Sequence, residues 1–371
     1  MSIVQLSPEI LVLIFDYLGP DFFHQDIRRL TLYKQWYQAA WQVFVRRVPV
    51  SARSLGQLLG SPGRNDILES FSKFTNELDI NLHGFENWES ARQPRYDVLH
   101  VNKSAKSPVA TSERHFKMEL VDSWTTQLNC SLDTMAAAMR TSRKLRSMKI
   151  TAKIEVSPLV PKRIRPYLES GPLVKLISLR HLTSLEIDLA GTEIIRRKDV
   201  PLDSHICCAI RSLLPTLHRL RCRLSHVCEK LLDLPPDVTA PSLKDVIVNL
   251  NLTKFEDDRL VFSNSERCHY DPTSELAPER AMEIQATDLA NRLKDPNMVR
   301  VIYRSNVYHN TVAIDVLTGR RMVLPPFLPW DVQGALTTDL FQAGQHWLAQ
   351  LTDNFQTGTD FWDHSYDDFF E

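Results

Sequence analysis

Glycine is scarce in this chain, 11 of 371 residues. So few leave little material for the glycine-rich loops that bring backbone amides close to a phosphate. No P-loop, dinucleotide fingerprint, H-E-x-x-H, nucleophile elbow or protein-kinase set occurs, and no nucleophile–base–orienter set can be assembled from the sequence. An enzyme is therefore not expected, and no cofactor. Cysteine is sparse too. The six cysteines, Cys130, Cys207, Cys208, Cys222, Cys228 and Cys268, form no C-x-x-C pair and no regular framework, which implies free thiols in a reducing compartment. Cys207, Cys208, Cys222, His226 and Cys228 invite a zinc reading. Their spacing fits no standard site, and Cys222 sits at an apolar strand position, so no metal is assigned. An excess of one charge is also missing. Lys and Arg number 44 against 45 Asp and Glu, a net charge of −1. That balance gives no global field for nucleic acid or an anionic membrane. No apolar run reaches the roughly 18 residues of a membrane span, and no secretory leader pattern opens the chain. The expectation is a cytoplasmic or nuclear protein.

What the sequence does have begins at its N-terminus. In Leu6-Ser7-Pro8-Glu9-Ile10-Leu11-Val12-Leu13-Ile14-Phe15-Asp16-Tyr17-Leu18, Ser7 reads as an N-cap and Pro8 as the first helical residue. Glu9 falls at the positive end of the helix dipole, and Leu6 and Leu11 have the spacing of a hydrophobic staple. Ile10 stands where a full capping box needs Glu or Gln. The helix is apolar almost all round, so it must be covered all round. After Gly19-Pro20 a second apolar segment follows, with Ile27, Leu30, Tyr33, Tyr37, Ala40, Trp41, Phe44 and Val48 at helical spacing and Trp36 beside them. A module this small cannot bury so much apolar surface alone. It docks on the rest of the chain, or it offers the surface to a partner.

These residues resemble the F-box over positions 4–48. The match runs through Leu6-Ser7-Pro8-Glu9-Ile10-Leu11, Ile14-Phe15, Tyr17-Leu18, Asp26-Ile27-Arg28-Arg29-Leu30 and Lys34-Gln35-Trp36-Tyr37. Ser7 stands where the family often has Pro. Leu32-Tyr33 stands where it has Val followed by a small residue. The resemblance implies that this module docks on the Skp-type adaptor of a cullin-RING (SCF) ubiquitin ligase, and through it on a cullin. Leu6, Pro8, Ile10, Leu11, Ile14, Leu18, Leu30 and Trp36 would supply the buried contact. A plain helical hairpin in the core accounts for the same residues.

Further along, one shape recurs. Leu145 to Ile150 gives the shape first, and Leu182 to Leu189, Leu217 to Leu224 and Leu243 to Leu250 repeat it as L-x-x-apolar-x-apolar-x-L, with starts 37, 35 and 26 residues apart, and Thr75 opens a weaker copy. Apolar helical stretches lie between, such as Ile206 to Leu214 and Val227 to Leu232. Strand and helix alternating in this way suggest stacked units. The shape resembles a degenerate leucine-rich repeat, although the spacing exceeds the family's usual length and the Asn that normally follows the strand is missing except at Asn251. An ordinary α/β layer with parallel strands fits the same residues. Arg219, Arg221 and Arg223 alternate with apolar residues and point away from the core, as a basic ligand patch or as a solvated strand face.

The remaining segments complete the division. Residues 1–50 form the F-box-like module. Residues 51–112 are a linker with a first helix near 66–71, a strand at 78–83 and a mobile surface loop over 86–112. Residues 113–330 form the repeat domain. It includes a long helix over 113–143, a helix over 276–293, a strand at 299–303 and a hairpin turning at Thr318-Gly319. Residues 331–371 hold a terminal helix and a tail from Asp353 with six carboxylates, no Lys or Arg, and interleaved Phe, Trp and Tyr. Asp360, Asp363, His364, Asp367 and Asp368 there read as a solvated acidic face. The fold expected is thus mixed α+β or α/β, three F-box-like helices followed by an irregular leucine-rich-repeat-like solenoid. The function expected is a substrate-recognition adaptor of a ubiquitin ligase, holding an unidentified target protein. The alternative is a stand-alone scaffold whose N-terminal helices cap the array.

Overall fold

A computed structural model describes residues 6–86, 109–155, 165–195, 205–235, 242–252, 254–256, 259–261, 263–268, 276–305, 310–324 and 329–336. For 109–117, 254–256, 259–261 and 335 it describes the backbone alone. Most of the expected loop over 86–112 and the whole tail from Asp353 lie outside these residues.

The recurring eight-residue shape sets the architecture. Its first, fourth, sixth and eighth positions are all buried: Leu145, Met148, Ile150 and Ala152; Leu182, Leu185, Ile187 and Leu189; Leu217, Leu220, Cys222 and Leu224; Leu243, Val246, Val248 and Leu250. The weaker copy behaves alike, with Thr75, Leu78, Ile80 and Leu82. Period-two burial makes each copy a strand with one face inward. These strands are β2 (Glu77–Leu82), β3 (Ser147–Ala152), β5 (Ser184–Asp188), β7 (Arg219–Arg223) and β8 (Asp245–Asn249). Between them lie the two-residue strands β4 (Leu168–Glu169) and β6 (Ile194–Ile195), which pair with each other.

The main sheet extends this set at both ends. β1 (Arg47–Ser51) precedes β2. β11 (Met298–Arg304), β12 (Thr311–Asp315), β13 (Arg320–Leu324) and β14 (Ala335–Leu336) follow β8. β1 to β11 run parallel in chain order, and the last three strands are antiparallel. β9 (Lys254–Glu256) and β10 (Arg259–Val261) form a separate hairpin. One device repeats at the entry to each parallel step. The carbonyl of Arg46 takes the N–H groups of Asn76 (2.8 Å) and Glu77 (2.9 Å), and that of Asn76 takes those of Arg146 and Ser147. Arg146, Thr183, His218 and Lys244 continue the chain of two-amide acceptors as far as Asn297 and Met298.

All the connecting helices cover one face. α4 (Ala52–Gly60), α5 (Arg64–Phe74), α6 (Val109–Met139), α7 (Ser170–Ile177), α8 (Ile206–Leu213) and α9 (Pro278–Arg292) share a single core with the inward strand residues. α4 opens on a reciprocal cap. The Ser54 N–H reaches Ser51 Oγ (3.1 Å) and the Ser51 N–H reaches Ser54 Oγ (2.8 Å). The β12–β13 turn closes at Gly319 with φ 66°, which favours glycine.

The expectation of a mixed α/β chain with a strand at each copy of the shape is met. Two boundaries are not. Residues 52–82 are not a linker, because α4, α5 and β2 join β1 as the first complete unit of the sheet, with the expected helix near 66–71 and strand at 78–83 in place as α5 and β2. Val48 and Val50, assigned to the N-terminal module, pair with Leu78 and Ile80 as its edge strand. The far boundary at 330 also moves, since β14 continues the sheet.

Truncating Leu185 to Ala, at a fully buried point of a central strand, is expected to destabilise the chain by about 2–5 kcal/mol. Lys149→Ala on the opposite face removes only a half-exposed ion pair to Glu186 and is expected to cost no more than about 1 kcal/mol. Urea unfolding midpoints of the two variants test the contrast.

Candidate functional site

The N-terminal module consists of α1 (Pro8–Leu18), α2 (Pro20–Gln25), a 3-10 turn (Ile27–Leu30) and α3 (Lys34–Phe44). Pro8 is the first residue of α1, as its fixed φ favours. Ser7 makes no side-chain cap to the helix. Instead the Glu9 carboxylate is held below its usual range, first by its own backbone N–H and then by the Ser7 hydroxyl. α1 stops at Gly19, whose N–H still returns to Phe15 O at 2.8 Å and whose φ of 77° turns the chain out of the helix.

The module has its own core of Leu11, Phe15, Phe23, Leu30, Trp36, Ala39, Ala40 and Val43. Phe15 meets Phe23 edge-on at 5.2 Å and Trp36 edge-on at 4.5 Å. The Trp36 indole N–H donates to Arg29 O, tying α3 to the 3-10 turn. Asp26 accepts from Arg28 N at 3.0 Å and caps that turn. Trp41 and Phe44 pack against both this core and the sheet core. α3 is thus the shared wall between module and sheet. Arg46 pairs with Asp16 at 2.7 Å across the same junction.

Three of the residues expected to meet a partner are spent inside the module. Leu11, Leu30 and Trp36 are buried and hold its helices together, which corrects their assignment as surface contacts. Leu6 and Ile14 are half-buried against the same core. Pro8, Ile10 and Leu18 are exposed. Other large apolar side chains are more open still: Tyr17 at 92%, Leu32 at 65%, Ile27 at 64% and Leu13 at 63% exposure, with Tyr37 also exposed. The rule that an all-apolar helix is covered all round fails here among the described residues. The signal for the outward row was present in the spacing of Ile10, Leu13 and Tyr17, at i, i+3 and i+7. A helix apolar on every side gives no phase by which to choose it.

The second candidate surface is the sheet face away from the helices. Its middle rung, in register across β2, β3, β5 and β7, reads Asp79, Lys149, Glu186, Arg221. Charges alternate in sign from strand to strand, so no like pair is adjacent. Lys149 pairs with Glu186 at 3.0 Å, and Arg223 holds Asp188 with its Nε at 2.8 Å and its Nη2 at 2.5 Å. Partial burial, outweighing its cationic neighbours, lifts the Asp79 carboxyl above its usual range. Arg221 and Arg223 do point away from the core, and both are engaged. Arg221 meets Asp331 at 2.5 Å, and Trp330 stacks over the Arg223 guanidinium at 5.0 Å. Residues 329–332 therefore cross the face. The Arg300 guanidinium beneath donates to the carbonyls of Trp330 (2.8 Å) and Val332 (2.9 Å). Ile247, Ile302, Ala313, Met322 and Leu324 form a small second core at that end. β2, β3 and β5 keep the polar face open.

The described residues also enclose hollows. One of about 730 Å³ lies at the ends of α6 and α7, lined by Arg140, Arg143, Lys175, Arg180 and His181 among others, with no carboxylate in its lining. Another of about 480 Å³ lies between α4 and α6 beside Phe85 and Trp124. Among the described residues one further group stands out, His205, Cys207, Cys228 and Cys268, all buried at the far end of the sheet core. Only Cys207 and Cys228 of it belong to the set weighed for zinc from sequence. Cys222 is enclosed in the sheet core, and His226 is a half-exposed neighbour of Glu266 at 3.6 Å. The spacing leaves out Cys268, which lies far along the chain from Cys228, and passes over His205, although it stands only two residues before Cys207.

No protein-family model matches the chain, and no curated protein matches it either. No described helix is long and apolar enough to cross a membrane.

If the module is built as described, Leu13→Ser should change stability by no more than about 0.5 kcal/mol. Phe15→Ala should cost about 3–5 kcal/mol. Paired chemical-denaturation curves monitored by tryptophan fluorescence check both values.

Proposed function

We propose that this protein is a substrate-recognition adaptor of an SCF-type ubiquitin ligase, its N-terminal module binding the Skp-type adaptor and its repeat-like sheet domain holding a target protein. The observation that carries this reading is the outward row of α1 with its neighbours, Ile10, Leu13, Tyr17, Leu18, Ile27 and Leu32. These side chains are exposed on a module that already has a finished core of its own. Clustered large apolar groups on a surface are a mark of association, and aromatic residues are enriched at such contacts. The F-box resemblance supplies the partner. The alternating-charge face of β2, β3 and β5 supplies a polar surface for a target, in the position that the strand face of a leucine-rich-repeat-like solenoid would take. The chain itself would perform no chemistry. Its contribution would be proximity.

One observation favours the alternative of a stand-alone scaffold. Trp41 and Phe44 join α3 to the sheet core, as a solenoid cap would be joined. The two readings differ in what becomes of α1, because a cap needs no outward apolar row.

The test is a binding titration of a purified Skp-type adaptor with the full chain and with its Leu13→Asp/Tyr17→Asp variant. Both positions are outside the module core, so the variant should stay folded. The expected result is saturable binding by the native chain, weakened about tenfold or more in the variant. No binding by the folded native chain, or equal binding by the variant, overturns the adaptor reading and leaves the scaffold.

A further inference from the structure

The chain brings four ligand-type side chains from three distant segments into one buried group. His205 stands immediately before α8 and Cys207 lies in its first turn. Cys228 stands before the 3-10 turn Glu229–Leu232 that follows β7. Cys268 lies at the end of residues 263–268, a segment laid across the ends of β7 and β8. Glu266 N donates to Ser225 O (2.9 Å), Val227 N to Glu266 O (2.8 Å) and Ser265 N to Leu250 O (2.7 Å). The Ser265 hydroxyl adds a bond to Leu224 O at 2.6 Å. Backbone pairing thus fixes the approach of Cys268, independently of the thiols.

The ligand atoms lie within 4.8 Å of one another. Cys207 Sγ and Cys268 Sγ are 3.6 Å apart, and Cys228 Sγ is 3.7 Å from His205 Nε2. A tetrahedral zinc ion with sulfur at about 2.3 Å and nitrogen at about 2.0–2.1 Å separates its ligands by about 3.5–3.8 Å. The sulfur atoms are too far apart for a disulfide bond, which needs about 2.05 Å. All four residues are buried, with Cys207 fully enclosed, so the group offers no open position for a substrate or a reactive water. Cys208 also comes within 3.6 Å of His205 Nε2, from a half-exposed position outside the group.

We propose that His205, Cys207, Cys228 and Cys268 bind one structural zinc ion. Three thiolates and one imidazole in a closed tetrahedral set are a recognised structural zinc combination. The ion would staple the start of α8, the exit of β7 and the crossing segment. Its binding free energy then adds to folding, because the unfolded chain has no such site. Small buried thiols that merely fill space need no imidazole nitrogen turned toward them.

The test uses the full chain, expressed with zinc in the medium and purified without chelator. Elemental analysis and native mass spectrometry should find about one zinc per chain, released on unfolding. Cobalt exchanged into the native chain should give the absorption of a tetrahedral thiolate site. Cys207→Ser and Cys268→Ser should lose the zinc, and Cys130→Ser and Cys208→Ser should keep it. The cobalt spectrum of the native chain decides the matter even if the ligand variants fail to fold. A native chain that carries no zinc and gives no tetrahedral cobalt spectrum overturns the proposal. So does zinc retained by both ligand variants, or a Cys207–Cys268 disulfide trapped by alkylation.

Discussion

Each parallel step of the sheet depends on one backbone carbonyl that takes two consecutive N–H groups from the next unit. The chain of acceptors runs from Arg46 through Asn76, Arg146, Thr183 and His218 to Lys244. The acceptor sits just before the strand and two residues before its first inward side chain, so it fixes the register of all that follows. A slip of one residue would turn the Leu and Ile row outward and carry Lys149, Glu186 and Arg221 into the core. Strands that are neighbours in both sequence and space, with the connecting helices returning over one face, leave the other face without helices. Residues 329–332 and a small apolar core cover it toward β8 and β11, and over β2, β3 and β5 it is polar, with unlike charges alternating along the middle rung. The exposed surface proposed to hold a target follows directly from the connectivity.

The strands were legible because two independent signals coincide in them. Leucine at the first position and period-two alternation after it both survive without knowledge of the third dimension. In the first unit α5 and β2 were legible, and β1 and α4 were not, for local reasons. Pro49 in Val48-Pro49-Val50 argues against a strand, but β1 is an edge strand, where a missing N–H costs nothing. Ser, Gly and Arg in α4 read as a loop. Its helix is fixed instead by the Ser51–Ser54 cap and by Leu55 buried beneath it. In the N-terminal module, helix existence was readable and helix phase was not. Leu11, Leu30 and Trp36 carry the resemblance and yet face inward, because residues that identify a small module are often those that build its core. The His205, Cys207, Cys228 and Cys268 group lay beyond sequence reasoning for another cause. Its members meet only after β7, α8 and the crossing segment have found their register.

The module and the sheet edge solve each other's problem. An edge strand exposes unpaired carbonyls that invite a second chain. His24 Nε2 lies 2.8 Å from Arg47 O and 3.1 Å from Phe44 O. Both oxygens accept, so Nε2 carries the proton, and α2 closes the entry to β1. Arg47 also meets Asp21 at 3.3 Å and Glu77 at 3.8 Å. The module thereby blunts the edge at its start while α1 keeps its outward row free.

On the proposed function, this joint matters more than either surface alone. A ligase receptor must hold its target at a set distance from the adaptor, and a flexible linker would spread that distance over many values. Here no linker intervenes. α3 belongs to both cores through Trp41 and Phe44, and β1 follows it within three residues. From β1 the sheet advances about 4.8 Å per strand, so β7 lies roughly 20 Å away across a register-locked ladder. The hydrogen-bonded strands make that distance a property of the backbone. Side chains on the open face can then change to suit a target without altering where the target is held.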